Sequence, residues 1–216
     1  MSSIEVQLID LNTFSHILRL GVDGRLRRLV PDRMNAVHRL INFLVIEQVR
    51  LFGFKMQLLP YYLWMTKREW AEWEMFYLPM PVKDKVVLDV GAGCGETAAF
   101  YLHHGAKRVV AIESNPLTYD ILCRNITSNQ MPVEPILSTF DLSHLKIKHD
   151  LLKMDVEGAE SLLLDYGGSL GACTIEVHEG VHPGLSNKLV QKFKLATRYP
   201  VFDSVDTFLL VNALGQ

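Results

Sequence analysis

The sequence predicts an α/β protein: a doubly wound, mostly parallel seven-stranded sheet with an antiparallel last strand, preceded by a helical appendage. Three observations carry this expectation. From Lys83 onward, short β-branched runs alternate with helical stretches, the pattern of a parallel sheet covered by helices. The first run, Val86 to Val90, empties into alternating glycines at Gly91, Gly93 and Gly95. The last two runs, near Tyr199 to Phe202 and Thr207 to Val211, lie too close together for anything but an antiparallel pair.

Composition narrows the class. The chain has 216 residues, 49% of them hydrophobic and 21% charged, enough for one sizeable core plus an appendage and unlike a disordered chain. A net charge of −2 gives no global attraction for polyanions, although a local patch leaves nucleic acid open as a partner. Cys94, Cys123 and Cys173 are odd in number and far apart, which predicts reduced thiols in the cytoplasm and neither a disulfide framework nor a zinc site. Residues 1–10 lack the features of a signal peptide, and the apolar stretch from Leu40 to Ile46 is too short to span a bilayer.

The elements follow in order. Residues 1–80 read as a helical cap and 81–216 as the α/β domain, joined at Pro79-Met80-Pro81, which no helix crosses. Met34, Val37, Leu40, Ile41, Leu44, Val45 and Val49 have helical spacing, which predicts a helix over 34–52. Arg25, Arg27, Arg28 and Arg33 read as a solvated face beside Asp23 and Asp32. A second helix is expected over Thr66 to Tyr77. Its aromatic face, Trp73 and Tyr77 above all, serves either as a lid over the site or as packing and a homodimer seam through the N-terminal helices. Beyond the glycine turn come a helix over 96–104, a strand from Arg108 ending at Glu113, and a helix opened by Pro116. Strands near 133–137 and 151–154, a helix from Gly158, a strand over 172–177 and a helix over 185–197 complete the alternation.

The glycine turn carries the first chemical signal. Glycine lets a ligand approach the backbone, and the helix behind the turn offers free N–H groups. The spacing is G-x-G-x-G with Asp89 two residues ahead, not the G-x-G-x-x-G of dinucleotide sites, and no P-loop lysine follows. This pattern resembles motif I of class I methyltransferases, a Rossmann-like family. The resemblance implies S-adenosylmethionine as cofactor, held by Gly91, Ala92, Gly93, Gly95, Glu96 and Thr97, with Asp89 positioning its amino group. Glu113, at a strand end 24 residues after Asp89, suits the two ribose hydroxyls, and Ser114 and Asn115 lie beside the adenine.

The segment Lys153-Met-Asp-Val-Glu-Gly-Ala-Glu160 ends the next buried strand. It resembles the FkbM-type methyltransferases, whose corresponding segment differs only at Met154 and whose next strand also ends in a Glu-x-His pair like Glu176-Val177-His178. The resemblance covers roughly residues 83 to 180. It implies O-methylation of a hydroxyl on a small-molecule or glycan-like acceptor. Asp155, Glu157, Glu176 and His178 then form the catalytic set, with His178 as proton acceptor by residue type and Asp155 orienting it or touching the cofactor. Glu160 reads as a first-turn helix acid. No metal is assigned, although Asp155, Glu157 and His178 make an oxygen–nitrogen set able to hold Mg²⁺ or another divalent ion.

Two other functions compete. Asn115-Pro116 with Cys123-Arg-Asn-Ile126 resembles the second helix of archaeal tRNA guanine methyltransferases, which implies an RNA acceptor. A non-catalytic module that retains the cofactor fold is the third reading.

Overall fold

The computed structural model describes residues 46–194, 197–200 and 207–212. The arginine cluster at 25–33, and with it most of the segment expected to form a dimer seam, lies outside the described residues, as do residues 34–45 of the first expected helix.

Where that helix enters the described region, the expectation fails. Residues Glu47–Leu51 form strand β1, paired antiparallel with β2, Phe54–Leu58, in the register Val49↔Met56 and Leu51↔Phe54. The reason is local. Val49, Leu51, Met56 and Leu58 are buried with the period of two that a one-sided strand requires, and Phe52-Gly53 turns the chain with φ of +52° and +90°. Helix α1 then spans Pro60–Phe76, earlier than expected, with proline in its first turn.

The sheet strands are β3 (Val86–Val90), β4 (Arg108–Glu113), β5 (Val133–Leu137), β6 (Leu151–Met154), β7 (Ala172–His178), β8 (Thr197–Pro200) and β9 (Thr207–Asn212). Their spatial order is β5-β4-β3-β6-β7-β9-β8. β3 runs parallel to both β4 and β6, and β9 runs antiparallel to β7 and β8. The doubly wound sheet with an antiparallel last strand is therefore the observed fold, and that last strand sits inside the sheet between β7 and β8. Helices α2 (Glu96–His103), α3 (Pro116–Asn129) and α4 (Leu185–Phe193) cover it. Two expected helices shorten. The one after Gly158 is a 3-10 segment over Ala159–Asp165, and α4 ends at Phe193, where Lys194 turns left-handed at φ +51°.

Alternation along the buried strands builds two cores. Val87, Val109, Ala111 and Leu151 face α2, α3, α1 and the hairpin. Leu88, Val90, Val110, Ile112, Leu152 and Met154 face the opposite side, where Leu163, Leu185 and Leu189 cover them. Trp73 and Tyr77 belong to the first core. They are only 4% and 3% exposed and stack at 5.5 Å, with Trp73 also against Phe52 and Phe100. These rings pack the helix onto the sheet, because burying two such faces outweighs leaving them on solvent, and they also border the cleft described below. Thr174 Oγ1 donates to the Phe76 carbonyl at 2.7 Å and fixes the end of α1 to β7. Among the described residues, no helix is long and apolar enough to cross a membrane.

Candidate functional site

β3 lies where the winding reverses, with β4 on one side and β6 on the other, and its carboxyl end opens into a cleft of about 370 Å³. Open α/β sheets bind ligands at this crevice. Gly91, Gly93 and Gly95 all carry positive φ, of +80°, +55° and +94°. At Gly91 the requirement is absolute: a Cβ there would stand 1.7 Å from the Asp155 carbonyl oxygen, so the turn crosses the end of β6 in direct backbone contact. At Gly93 a Cβ would meet the Tyr62 ring at 2.7 Å. The turn is a cradle with room for glycine alone.

Beneath it lies a buried ion pair. Lys153 Nζ stands 3.2 Å from Asp89 Oδ1 and donates to the Gly91 carbonyl at 2.7 Å. Thr97 Oγ1 donates to Asp89 Oδ2 at 2.5 Å. Burial pulls the Lys153 ammonium toward neutrality, but the Asp89 and Asp155 charges override it and hold it charged, above its ordinary pKa. Asp89 is fully buried and does not line the cleft; Lys153 does. The sequence reading assigned Lys153 no role.

Glu113 closes the second side. Its Oε2 accepts from the Gly93 N–H at 2.9 Å and its Oε1 from the Asn115 N–H at 2.7 Å, so one carboxylate ties the glycine turn to the start of α3. Asn115 caps that helix by accepting from the Leu117 N–H. Glu96 also lines the cleft. Burial pushes its carboxyl up to about 8, and its Oε2 has no hydrogen-bond partner.

The third side gathers acids around His178. Nδ1 lies 2.9 Å from Glu160 Oε1. Nε2 lies 3.5 Å from Glu157, 3.8 Å from Asp155 and 3.8 Å from Glu176. Burial lowers the imidazole pKa, but the hydrogen bond to Glu160 and the charges of Asp155 and Glu157 prevail and hold it at about 9. Glu160 does sit in the first turn of its 3-10 segment, but its side chain is fully buried on His178 and also accepts from the Val156 N–H. Glu157 holds a left-handed φ of +53°, rare for a residue with a side chain. Tyr61 reaches over this cluster: burial, then Glu157 and Asp155, push its hydroxyl up to about 12.

The predicted residues thus divide. Gly91, Gly93, Glu96, Thr97, Glu113, Ser114, Asn115, Asp155, Glu157 and Glu176 line one cleft. Asp89, Ala92, Gly95 and His178 lie behind its wall: Gly95 packs on Leu122, where a Cβ would come within 2.8 Å. Sequence reasoning missed Tyr61, Tyr62 and Glu69 on α1, and Ser138 to Phe140, which line the same space. No periodic signal marks them, since they arrive from elements far apart in the chain.

No family model matches the chain. It is 28% identical over 95 residues to the uncharacterized protein 158B of Sulfolobus islandicus rod-shaped virus 1, across 44% of this chain and 60% of that protein. Trm5b from Pyrococcus abyssi is similar in structure at TM-score 0.54 and 18% identity, covering 76% of this chain and 54% of that one. The chain therefore spans less than two thirds of the length of either protein. The Methanococcus jannaschii fibrillarin pre-rRNA processing protein is similar in structure at TM-score 0.51 and 18% identity, over 63% of this chain and 69% of that one. M. jannaschii TYW2, solved with AdoMet, matches at TM-score 0.51 and 21% identity over 77% of this chain and 83% of that one. The chain has the Rossmann-like fold of the S-adenosylmethionine-dependent methyltransferases.

Proposed function

We propose that the protein is an S-adenosylmethionine-dependent methyltransferase. The observation that carries this reading is the convergence of the glycine turn, Glu113 and the Asp155–Glu157 strand end on one cleft at the switch point of the sheet. The residues fit the cofactor. The turn admits no side chain, and each Glu113 oxygen keeps a second acceptor direction for a ribose hydroxyl. The Glu96 carboxyl, buried and half unpartnered on the cleft wall, suits the cofactor's amino group better than Asp89, which Lys153 and Thr97 already occupy. Asp89 then acts from below, by holding Lys153. The domain division at residue 80 is kept as part of this proposal, with α1 supplying one wall of the catalytic cleft.

The bound cofactor supplies an electrophilic methyl group; the chain's task is to orient an acceptor and take its proton. Asp155, Glu157 and Glu176 line the acceptor side and suit a hydroxyl donor. Glu160 and the charges of Asp155 and Glu157 favour the protonated ring of His178, which makes the acids beside it the better proton acceptors. His178 sits behind the acids and fixes them, and the proton passes to Asp155 or Glu157. The likeness of residues 153–160 and 176–178 to FkbM-type enzymes supports O-methylation of a small-molecule or glycan-like hydroxyl. The negative charge of this wall also disfavours a phosphate beside the methyl group.

An RNA acceptor is the second reading, favoured by the structural likeness to the fibrillarin pre-rRNA processing protein. Labelled S-adenosylmethionine, incubated with metabolite extract and with bulk tRNA at two salt concentrations, separates them. Label in a small product supports the first reading; salt-sensitive label in tRNA supports the second. Failure to bind S-adenosylmethionine in calorimetry would leave the non-catalytic reading in place of both.

A further inference from the structure

We propose that Asp155, Glu157 and His178 bind a divalent cation of the kind that takes mixed carboxylate and imidazole donors, Mn²⁺ in particular. One donor atom from each residue lies within 4.8 Å of the others. Nε2 of His178 is 3.5 Å from Glu157 Oε2 and 3.8 Å from Asp155 Oδ1. Donor atoms held about 2.1 Å from one ion stand roughly 3 to 4 Å apart, so small rotations of the half-exposed Asp155 and exposed Glu157 side chains close the set.

Two further observations point to a cation. The first is the other face of the imidazole. Nδ1 donates to Glu160, whose side chain is fully buried and whose second oxygen has no hydrogen-bond partner. A buried carboxylate behind a histidine is the arrangement that aims a ligating nitrogen and raises its basicity. The second is charge. Asp155, Glu157, Glu160 and Glu176 surround a single imidazole, and the nearby ammonium of Lys153 is engaged by Asp89 and the Gly91 carbonyl. A dication between these acids offsets more of their repulsion than the single imidazolium does; its binding displaces the Nε2 proton to solvent and leaves Nδ1–H on Glu160. Oxygen donors with a single nitrogen favour Mn²⁺ or Mg²⁺ over zinc, which prefers sulfur and several imidazoles. The proposal does not depend on methyl transfer: with a cation bound, Asp155 and Glu157 hold it and do not take the acceptor's proton.

The test uses the full chain, stripped of metal and titrated with Mn²⁺, with free ion read by electron paramagnetic resonance and heat by calorimetry. One Mn²⁺ per chain is expected at micromolar affinity. Glu157→Gln, a substitution at an exposed side chain, weakens it about tenfold or more, and Glu160→Gln, behind the histidine, weakens it by roughly 10- to 100-fold. Circular dichroism checks the fold of each variant, and Glu134→Gln, on an exposed acid of the distant β5, leaves affinity unchanged. Absence of binding up to about 1 mM Mn²⁺, or binding that Glu157→Gln and Asp155→Asn leave intact, overturns the proposal.

Discussion

Lys153 Nζ and Asp89 Oδ1 face each other at 3.2 Å under the glycine turn, in a pair with almost no solvent contact on either side. A buried pair of this kind matters most when it is broken, because the remaining charge has no water to turn to. Lys153→Met strands Asp89 and frees the Gly91 carbonyl, and is expected to cost about 3–5 kcal/mol in urea unfolding. The double variant Lys153→Met/Asp89→Asn recovers a large part of that loss. A single variant as stable as the native chain would show that the pair does not hold the turn.

Gly91→Ala places a Cβ 1.7 Å from the Asp155 carbonyl at a φ of +80°. Neither partner is a flexible side-chain tip, so β3 and β6 must separate. Stability falls by ~3 kcal/mol or more, and S-adenosylmethionine binding is lost with it. Gly167→Ala, where a Cβ meets nothing within 4 Å, is the matched control and changes stability by no more than about 0.5 kcal/mol.

Asn125 spends all its polar atoms on structure. Its amide donates to the carbonyls of Gln57 and Cys94, both at 2.8 Å, and its Oδ1 accepts from the Gln57 N–H at 2.7 Å. Asn125→Ala leaves those backbone groups unpaired and is expected to cost about 3 kcal/mol. Because β2 hangs on this contact, limited proteolysis should cut the β1–β2 hairpin faster in the variant. Equal cleavage rates would assign the docking of the hairpin to its apolar residues alone.

Glu96 makes stability depend on pH. Its folded pKa is raised from 4.5 to about 8 by burial, so the folded state holds its proton more tightly than the unfolded chain. The native contribution is fully present below about 4.5 and is lost as pH rises toward 8. Glu96→Gln cannot ionise. Its melting temperature should match the native chain near pH 4.5 and exceed it by several degrees at pH 8. Parallel curves would mean that Glu96 ionises freely in the folded state.

Glu157 sits at φ +53°, a conformation that costs a side-chain-bearing residue roughly 1–2 kcal/mol. Glu157→Gly should therefore stabilise the fold by about 1 kcal/mol while reducing methyl transfer. A variant both more stable and fully active would remove Glu157 from the acceptor wall.

Much of this arrangement was legible in the chain. Val86 to Val90 with Gly91, Gly93 and Gly95 announces a buried strand and a ligand turn, because period-two burial and positive φ impose strong residue choices. Glu113 and Asp155 were legible as strand-end carboxylates. The hairpin at 47–58 was not, since Val45 and Val49 fit a helix as well as Val49 and Leu51 fit a strand, and five-residue segments leave the choice to packing.

The sequence by itself determined the order of elements from Val86 onward, the parallel sheet and the strand-end acids Glu113 and Asp155 at its carboxyl edge, because these follow from local periodicity and backbone sterics. Tertiary structure alone decided what each charged group does there. It turned Asp89 inward onto Lys153, placed Glu96 on the cleft wall, and seated Glu160 behind His178. Charges interact through space and burial, and neither distance nor dielectric is written in the spacing of residues along the chain.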